Sequence, residues 1–510
     1  MAADGETRWV TCRPRALVLL LALAHALVEA RLRPLYQVSD EMAYLRGAQG
    51  VALSMAPDRA RCIAPPDGSR LAAGSGAKVG FRVVVGWQLA RLCDPAAEHL
   101  PLFSLRALQA LSYPVVALCA ALLARQLSGR EDAAVLAALV VASHPVAAKY
   151  AGGVTPDAWA NAFAAGAFLS ATQLASGRWP WYAPWLLGAC TFGGVLWKDT
   201  ATMLVPLAGM AVVLAIVHGI RQHARVTRAR TFVVATSLAA VIAASGMLAA
   251  TFTTALRSAY IDAIPPANLE LVSSPVAFMA AVADDVRGNL LGLLASSVVS
   301  LYRPLVYAGV PFDLTSAPST PPVALLVTVA FFVIGWAGAV VWLLSGTNRG
   351  LACRVGVLVM WALAVAACIA QPSVRQVLLD TFDSHQGRWL FPVLAPAAAL
   401  AGTGLAHLGR GRHMVPGLVL AGVVSVWLVV LDIVRHFYIT VPDRLNVSVL
   451  FVRPTGDHDI GDMHVRRLVE ATTAAQDHAT TWGILVLLGV ASLWLAMYVI
   501  RHASPPAPHV

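Results

Sequence analysis

The feature that most constrains this chain is a long apolar run that recurs from one end of the sequence to the other. Each run holds about 18 or more residues, enough for a helix to cross the roughly 30 Å of a bilayer's hydrocarbon core. Only 13% of the residues are charged, whereas 58% are hydrophobic. An average soluble domain has about twice that charged fraction. The sequence therefore predicts an all-α polytopic membrane protein.

The runs predict twelve transmembrane helices, and the loop charges predict their orientation. Every short loop on one side carries Arg, for example Arg130, Arg178 and Arg349, as cytoplasmic loops do. The protein is therefore predicted to lie in the cell membrane, with both termini in the cytoplasm. The first run lacks a small-x-small cleavage site and is predicted to be retained. The predicted spans are 14–32, 102–124, 132–150, 157–174, 181–197, 200–218, 231–254, 322–344, 352–371, 389–408, 415–435 and 482–500.

Three long segments then lie outside the membrane, at 33–101, 255–321 and 436–481. In the first, the stretch from Phe81 to Leu92 mixes bulky apolar residues with Arg and Gln, which predicts a helix lying in the membrane interface. The stretch from Val282 to Arg303 predicts a second one.

The chain divides into a transmembrane region at 1–435 and a final part at 436–510, made of a polar outer loop, the last span and a short tail. The net charge of +10 follows from the loop Arg residues that set topology, so a nucleic-acid partner is not expected. Cys62 and Cys93 share the first outer loop, where both a disulfide and two free thiols are compatible with the sequence.

Two adjacent carboxylates, Asp40 and Glu41, come just after the first span, at the start of the first outer loop. Such a pair attracts cations and raises its own proton affinity, so it can act as a general base or as a metal site. It can equally begin a helix, with Ser39 as the N-cap. The two interpretations are compatible, because a cap would hold the acid at the membrane surface.

Further charged residues lie on the same predicted outer face. Thr155, Pro156 and Asp157 form a strong helix start, with Thr as the predicted N-cap. Lys198 lies in the tight turn after the fifth span. It has either a structural role, as an ion pair or as a cation that snorkels to the interface, or a functional role facing a lipid-linked phosphate. His144 and Pro145 indicate a packing or kink position within the third span.

Basic residues in loops on the outer, non-cytoplasmic side of the membrane are unusual under the positive-inside rule. Arg388, preceded by His385, comes directly before the tenth span, and Arg303 closes the predicted second interfacial helix. Because a guanidinium binds phosphate through two parallel hydrogen bonds, these residues are candidate phosphate ligands. The alternative is that they are interfacial anchors.

Three stretches together resemble the GT-C class of integral membrane glycosyltransferases, which use polyprenyl-phosphate sugars and include protein O-mannosyltransferases and aminoarabinose transferases. The stretches are Tyr36–Tyr44, His144–Asn161 and Gln386–Pro392, the last reading Gln-Gly-Arg-Trp-Leu-Phe-Pro. The layout is similar over residues 14–410, as in bacterial relatives of unassigned function.

The resemblance implies an active site at the outer membrane face. Asp40 would be the catalytic base, Glu41 its neighbour, and Asp157 the second acidic position. Lys198, Arg303, Arg388 and His385 would face the donor phosphate. The partners implied are the bilayer, a polyprenyl-phosphate-linked sugar and a cell-envelope glycan, lipid or protein acceptor. A divalent cation, Mg²⁺ or Mn²⁺, is an open expectation, with Asp40 and Asp157 as its candidate ligands.

The alternative function is a transporter or a flippase for lipid-linked sugars. Such a protein would need charged or broken helices deep in the membrane. The interiors of most predicted spans consist of Ala, Leu, Val and Gly, and the charges gather at the outer ends. This pattern favours the transferase.

Overall fold

All the regular structure in the described part of the chain is helical. The structure is a computed structural model that describes residues 3–32, 41–63, 79–96, 100–177, 180–221, 268, 271, 274–302, 322–345, 348–379, 392–409, 414–434 and 478–503. The helices up to residue 151 are α1 (Ala3–Leu32), α2 (Glu41–Met55), α3 (Ala60–Ile63), α4 (Val79–Leu92), α5 (Leu102–Ala110), α6 (Ser112–Ser128), α7 (Glu131–Ala142) and α8 (Pro145–Ala151). Those that follow are α9 (Asp157–Ala175), α10 (Ala183–Trp197), α11 (Leu204–Arg221), α12 (Pro275–Tyr302), α13 (Pro322–Leu344), α14 (Asn348–Leu379), α15 (Leu394–Leu408), α16 (Met414–Val434) and α17 (His478–Ala503).

The predicted spans correspond to helices wherever the structure describes them. Among the residues that the structure describes, four segments are long and apolar enough to cross a membrane by themselves, and a bent pair of helices makes a fifth. They are Leu102–Ser128, Leu326–Leu344, Met414–Ile433 and Ala479–Val499, with α7 and α8 as the bent pair. Other apolar helices are shorter, such as α10 with 15 residues, which extends only about 22 Å. The seventh predicted span, 231–254, lies outside the described residues, so the total of twelve remains a prediction.

The bend between α7 and α8 confirms the predicted kink at His144 and Pro145. The two helix axes differ in direction by 67°. Proline cannot donate the backbone hydrogen bond of a continuing helix and it disfavours helical geometry in the preceding residue. His144 is accordingly extended, and its ring accepts a hydrogen bond from the Ala147 amide at 3.2 Å, which caps α8.

The main core is a bundle in which α15 packs between α13 and α7, while α6 and α9 pack beside them. Close approach depends on Gly404 and Gly402 of α15. A Cβ atom at Gly404 would lie 1.8 Å from the Gly335 carbonyl oxygen on α13, and one at Gly402 would lie 2.4 Å from the Ala137 nitrogen on α7. Small residues of this kind let helix backbones touch inside a membrane, where packing drives association.

A second, smaller core is built by the first predicted outer loop. Helices α2 and α4 pack on each other and enclose Leu45, Phe81, Val85 and Leu89. This core also includes Trp197 at the end of α10 and Val154 in the turn before α9. The described part of the loop is therefore a folded unit seated on the ends of the membrane helices, and it brings Glu41 to that surface.

Candidate active site

The first residue of α2, Glu41, is buried in a bidentate ion pair that the sequence did not predict. Its side chain is fully buried, and Arg106 of α5 is 3% exposed. Arg106 Nε donates to Oε1 at 2.8 Å and Nη2 donates to Oε2 at 2.5 Å. The amide of Val154 donates to Oε1 at 2.8 Å. Paired bonds of a guanidinium to a carboxylate are among the strongest and most directional in proteins.

Three segments distant in sequence meet at this pair. Glu41 begins the first loop unit, Arg106 belongs to the second predicted span, and Val154 lies in the turn between α8 and α9. Arg106 also donates to the Ala30 carbonyl at the end of α1, at 3.3 Å. Glu41 and Arg106 therefore fix the start of the loop to the ends of three helices. Such contacts give Glu41 a positioning role.

A second buried ion pair lies at the start of α9. Asp157 Oδ1 accepts a hydrogen bond from Lys198 Nζ, and the Asp157 side chain is 1% exposed. Among the described residues, Asp157 Oδ2 has no hydrogen-bond partner. Of the two interpretations of Lys198 offered by the sequence, the structure supports the ion pair.

The backbone links the two pairs. Val154, bonded to Glu41, stands three residues before Asp157, so at most about 11 Å of chain separates their Cα atoms. Asp157 thus lies close to Glu41 in the fold. The expectation that Asp157 shares an outer face with Asp40 stays a prediction, because Asp40 lies outside the described residues. The predicted N-cap at Thr155 was wrong. Its hydroxyl donates instead to the Tyr150 carbonyl at 3.2 Å, and Pro156 occupies the cap position of α9 without a side-chain bond.

A disulfide holds the first loop unit together. It joins Cys62 to Cys93, with Cα atoms 5.8 Å apart, which decides between the two alternatives that the sequence left open. Beside it, Arg59 Nη1 donates to the carbonyl oxygens of Ala90 at 2.7 Å and of Cys93 at 2.8 Å. The guanidinium thus satisfies carbonyls that the end of α4 leaves unpaired.

Four predicted site residues lie outside the described residues. They are Asp40, Arg303, His385 and Arg388. Their roles as base and as phosphate ligands therefore remain predictions.

The described residues alone do not suit a divalent cation. They include no group of three or more His, Cys, Asp or Glu side chains that could hold a metal ion. One oxygen of Asp157 already accepts a bond from an ammonium group, whose positive charge opposes a dication at the same carboxylate. We therefore derive no step through a metal.

Ionisable residues within the bundle depart from the expectation of apolar span interiors. His25 and Glu29 of α1 and Lys149 of α8 are buried. His25 Nδ1 donates to the Ala142 carbonyl at 2.8 Å, and its ring meets Tyr113 edge-on with centroids 6.5 Å apart. In the sequence, Glu29 and Lys149 stand close to the ends of their predicted spans, whereas His25 stands inside the first one. Only packing shows that these residues face other helices.

The chain was compared with known proteins. No family model and no curated protein sequence matches it. Among solved structures, the Archaeoglobus fulgidus oligosaccharyltransferase in the apo form gives a TM-score of 0.49 at 14% identity, covering 90% of this chain and 63% of that one. The archaeal oligosaccharyltransferase AglB from Archaeoglobus fulgidus, in complex with an inhibitory peptide and a dolichol-phosphate, gives 0.41 at 15% identity, covering 97% and 56%.

This chain therefore spans less than two thirds of the length of either oligosaccharyltransferase. Both TM-scores lie below 0.5, and similarities of that extent establish neither the family nor the activity of this chain.

Proposed function

We propose that this protein is a membrane glycosyltransferase of the GT-C type, which moves a sugar from a polyprenyl-phosphate donor to an acceptor at the outer membrane face. The observation that carries the proposal is the buried Glu41–Arg106 pair with its bond from the Val154 amide. This arrangement holds Glu41 against the turn that leads to Asp157, the partner of Lys198. A carboxylate beside a membrane-surface cation is what transfer from a lipid-linked phosphate requires.

In this proposal, Asp40 is the base. As the acceptor oxygen or nitrogen forms its bond to the anomeric carbon, the bond from that carbon to the phosphate oxygen breaks. The electron pair leaves with the polyprenyl phosphate, and the acceptor proton passes to Asp40. Glu41 is not a second base here, because both of its oxygens already accept bonds from Arg106; it holds Asp40 in place.

Basic groups at headgroup depth would stabilise the departing phosphate, since fixed charges aimed at developing charge lower the barrier. Arg388, with His385, is the first candidate for this role, followed by Arg303. Lys198 is bound to Asp157, so it would serve the phosphate only by sharing its remaining protons. The acceptor class remains a cell-envelope glycan, lipid or protein.

The test compares Asp40→Asn with Glu41→Gln in purified protein supplied with polyprenyl-phosphate sugars. Asp40→Asn should abolish transfer while leaving membrane insertion intact, because the amide cannot take the proton. Glu41→Gln should leave residual transfer, because its effect is on position. Undiminished transfer by Asp40→Asn would refute the base assignment.

The buried His25, Glu29 and Lys149 favour a second candidate, a transporter or flippase for lipid-linked sugars, because ionisable groups inside a membrane often mark a transport path. Proteoliposomes loaded with a labelled polyprenyl-linked sugar distinguish the two. Movement across the bilayer with no transfer product would support the flippase, and a transfer product without movement would exclude it.

A further inference from the structure

Helix α4 turns an apolar face outward, although it lies in the polar first loop. Val83, Val84 and Trp87 are exposed, with Trp87 at 52%. Trp87 lies one turn after both Val83 and Val84, so the three residues share one side of the helix. A helix that faces water normally has charged or polar residues on that side. An outward apolar face therefore needs an apolar surface to cover it.

Two close contacts hold α4 against the rest of the protein. Away from the exposed face, a Cβ atom at Gly86 would lie 2.9 Å from the Ala48 carbonyl oxygen of α2. In the first turn of α4, before the exposed residues, a Cβ atom at Gly80 would lie 2.7 Å from the Leu196 carbonyl oxygen of α10. Helix α4 thus touches the helix that begins with Glu41 and the helix end that precedes Lys198. A change in the depth of α4 would therefore reach the two ion pairs through α2 and the end of α10.

The charges on this face indicate what covers it. Arg91 is exposed, and its guanidinium lies 5.9 Å from the centre of the Trp87 ring. Tryptophan beside Arg is typical of the boundary between acyl chains and phosphate headgroups. The chain after α4 also leads, at Leu102, directly into a segment long enough to cross the membrane.

We propose that the face formed by Val83, Val84 and Trp87 docks onto the outer lipid leaflet, with Arg91 at the headgroup phosphates, and that it sets the depth of the loop unit in the membrane. This goes beyond the interfacial location that the sequence predicts, because it names the buried side and the contacts that transmit depth. The docking itself does not depend on the glycosyltransferase proposal.

The test replaces Val84 with the photoreactive residue benzoylphenylalanine in the full chain. The protein is reconstituted in vesicles of phosphatidylcholine and phosphatidylglycerol and irradiated. Leu118, exposed on the membrane segment Leu102–Ser128, is the lipid-facing control. Asp58, with a side chain 69% exposed, is the water-facing control. Because an inserted apolar face is in constant contact with acyl chains, the lipid adduct at position 84 should approach that at 118 and exceed that at 58 by about tenfold.

A lipid yield at position 84 equal to that at position 58 would overturn the proposal. So would adducts at position 84 that form only within this chain or with a second protein, because they would identify a protein surface as the cover. The yields are measured by mass spectrometry of the labelled peptide, with no enzymatic readout.

The consequence for depth rests on the proposed function and is tested separately. Trp87→Asp should reduce transfer from a membrane-embedded donor at least about fivefold, since a charge opposes insertion at the interface. Gln88→Asp, on the next residue of the same helix, is the control and should have a smaller effect. Lipid adducts at position 84 in a protein without transferase activity would uphold the docking and refute the function.

Discussion

At the scale of single residues, the candidate site is built on two buried ion pairs. The effect of a substitution in such a pair depends on whether one member or both members are replaced. Removing one member of a buried pair leaves a charge without compensation, which costs about 3–5 kcal/mol. Replacing both members by apolar residues of similar size is often neutral. The difference between single and double substitutions therefore shows whether a pair only positions other groups or takes part in the chemistry.

Arg106→Met should therefore destabilise the protein by about 3–5 kcal/mol, and adding Glu41→Leu should recover most of the loss. Arg125→Met is the matched control. Arg125 lies 3.8 Å from Glu131 with a half-exposed side chain, where an ion pair contributes about 0–1 kcal/mol. Thermal unfolding in detergent measures all three. A double variant as unstable as the single one would contradict this account.

The Asp157–Lys198 pair can be tested by exchanging its charges. Asp157→Asn and Lys198→Met should each reduce transfer, since each leaves a buried partner unpaired. The exchange Asp157→Lys with Lys198→Asp should restore the melting temperature without restoring transfer, because the carboxylate would no longer begin α9. Recovery of both would show that the pair is only structural.

Sequence reasoning reached part of this site. The nearness of the turn before Asp157 to the first outer loop, seen in the bond from Val154 to Glu41, agrees with the topology that the loop charges predicted. Arg106 was missed, although it carries the same signal that singled out Arg388: a basic residue at the outer end of an apolar run. Its partner lies 65 residues away, and which helix ends meet depends on packing that no local pattern encodes.

At the scale of elements, the backbone contact of α15 with α13 is the most exacting feature. Gly404→Leu should push the two helices apart and lower the melting temperature strongly, because its Cβ alone would overlap the Gly335 carbonyl. Gly417→Leu on α16 is the control, since nothing lies within 4 Å of its Cβ position. Equal melting temperatures for the two variants would rule out the proposed contact.

Helix existence was predictable from apolar run length, but helix breaks were only partly so. Pro145 predicted the bend after α7. The second predicted span also divides, at Leu111, into α5 and α6. Pro114 in the first turn of α6 is a comparable signal, but the apolar run predicted one continuous span there. Likewise, the second core beneath α4 depends on contacts with Trp197 and Val154, which belong to distant parts of the chain.

At the scale of the whole molecule, the predicted orientation can be tested with a label that does not cross membranes. The Cys62–Cys93 disulfide favours an oxidising compartment for the first loop. In intact cells an impermeant maleimide should label Asp58→Cys and leave Arg130→Cys unlabelled. After permeabilisation both should react. Labelling of Arg130→Cys alone in intact cells would mean that the orientation is inverted.

The Glu41–Arg106 pair also bears on how the protein is made. An arginine near the start of an apolar helix opposes transfer of that helix from the translocon into lipid. Glu41 is synthesised 65 residues before Arg106, so the acid has already emerged when the arginine arrives. Synthesis order thus lets the α5–α6 segment enter the bilayer beside its counter-charge. Loss of Glu41 would then first lower the efficiency with which the α5–α6 segment inserts into the membrane, before the protein binds any substrate.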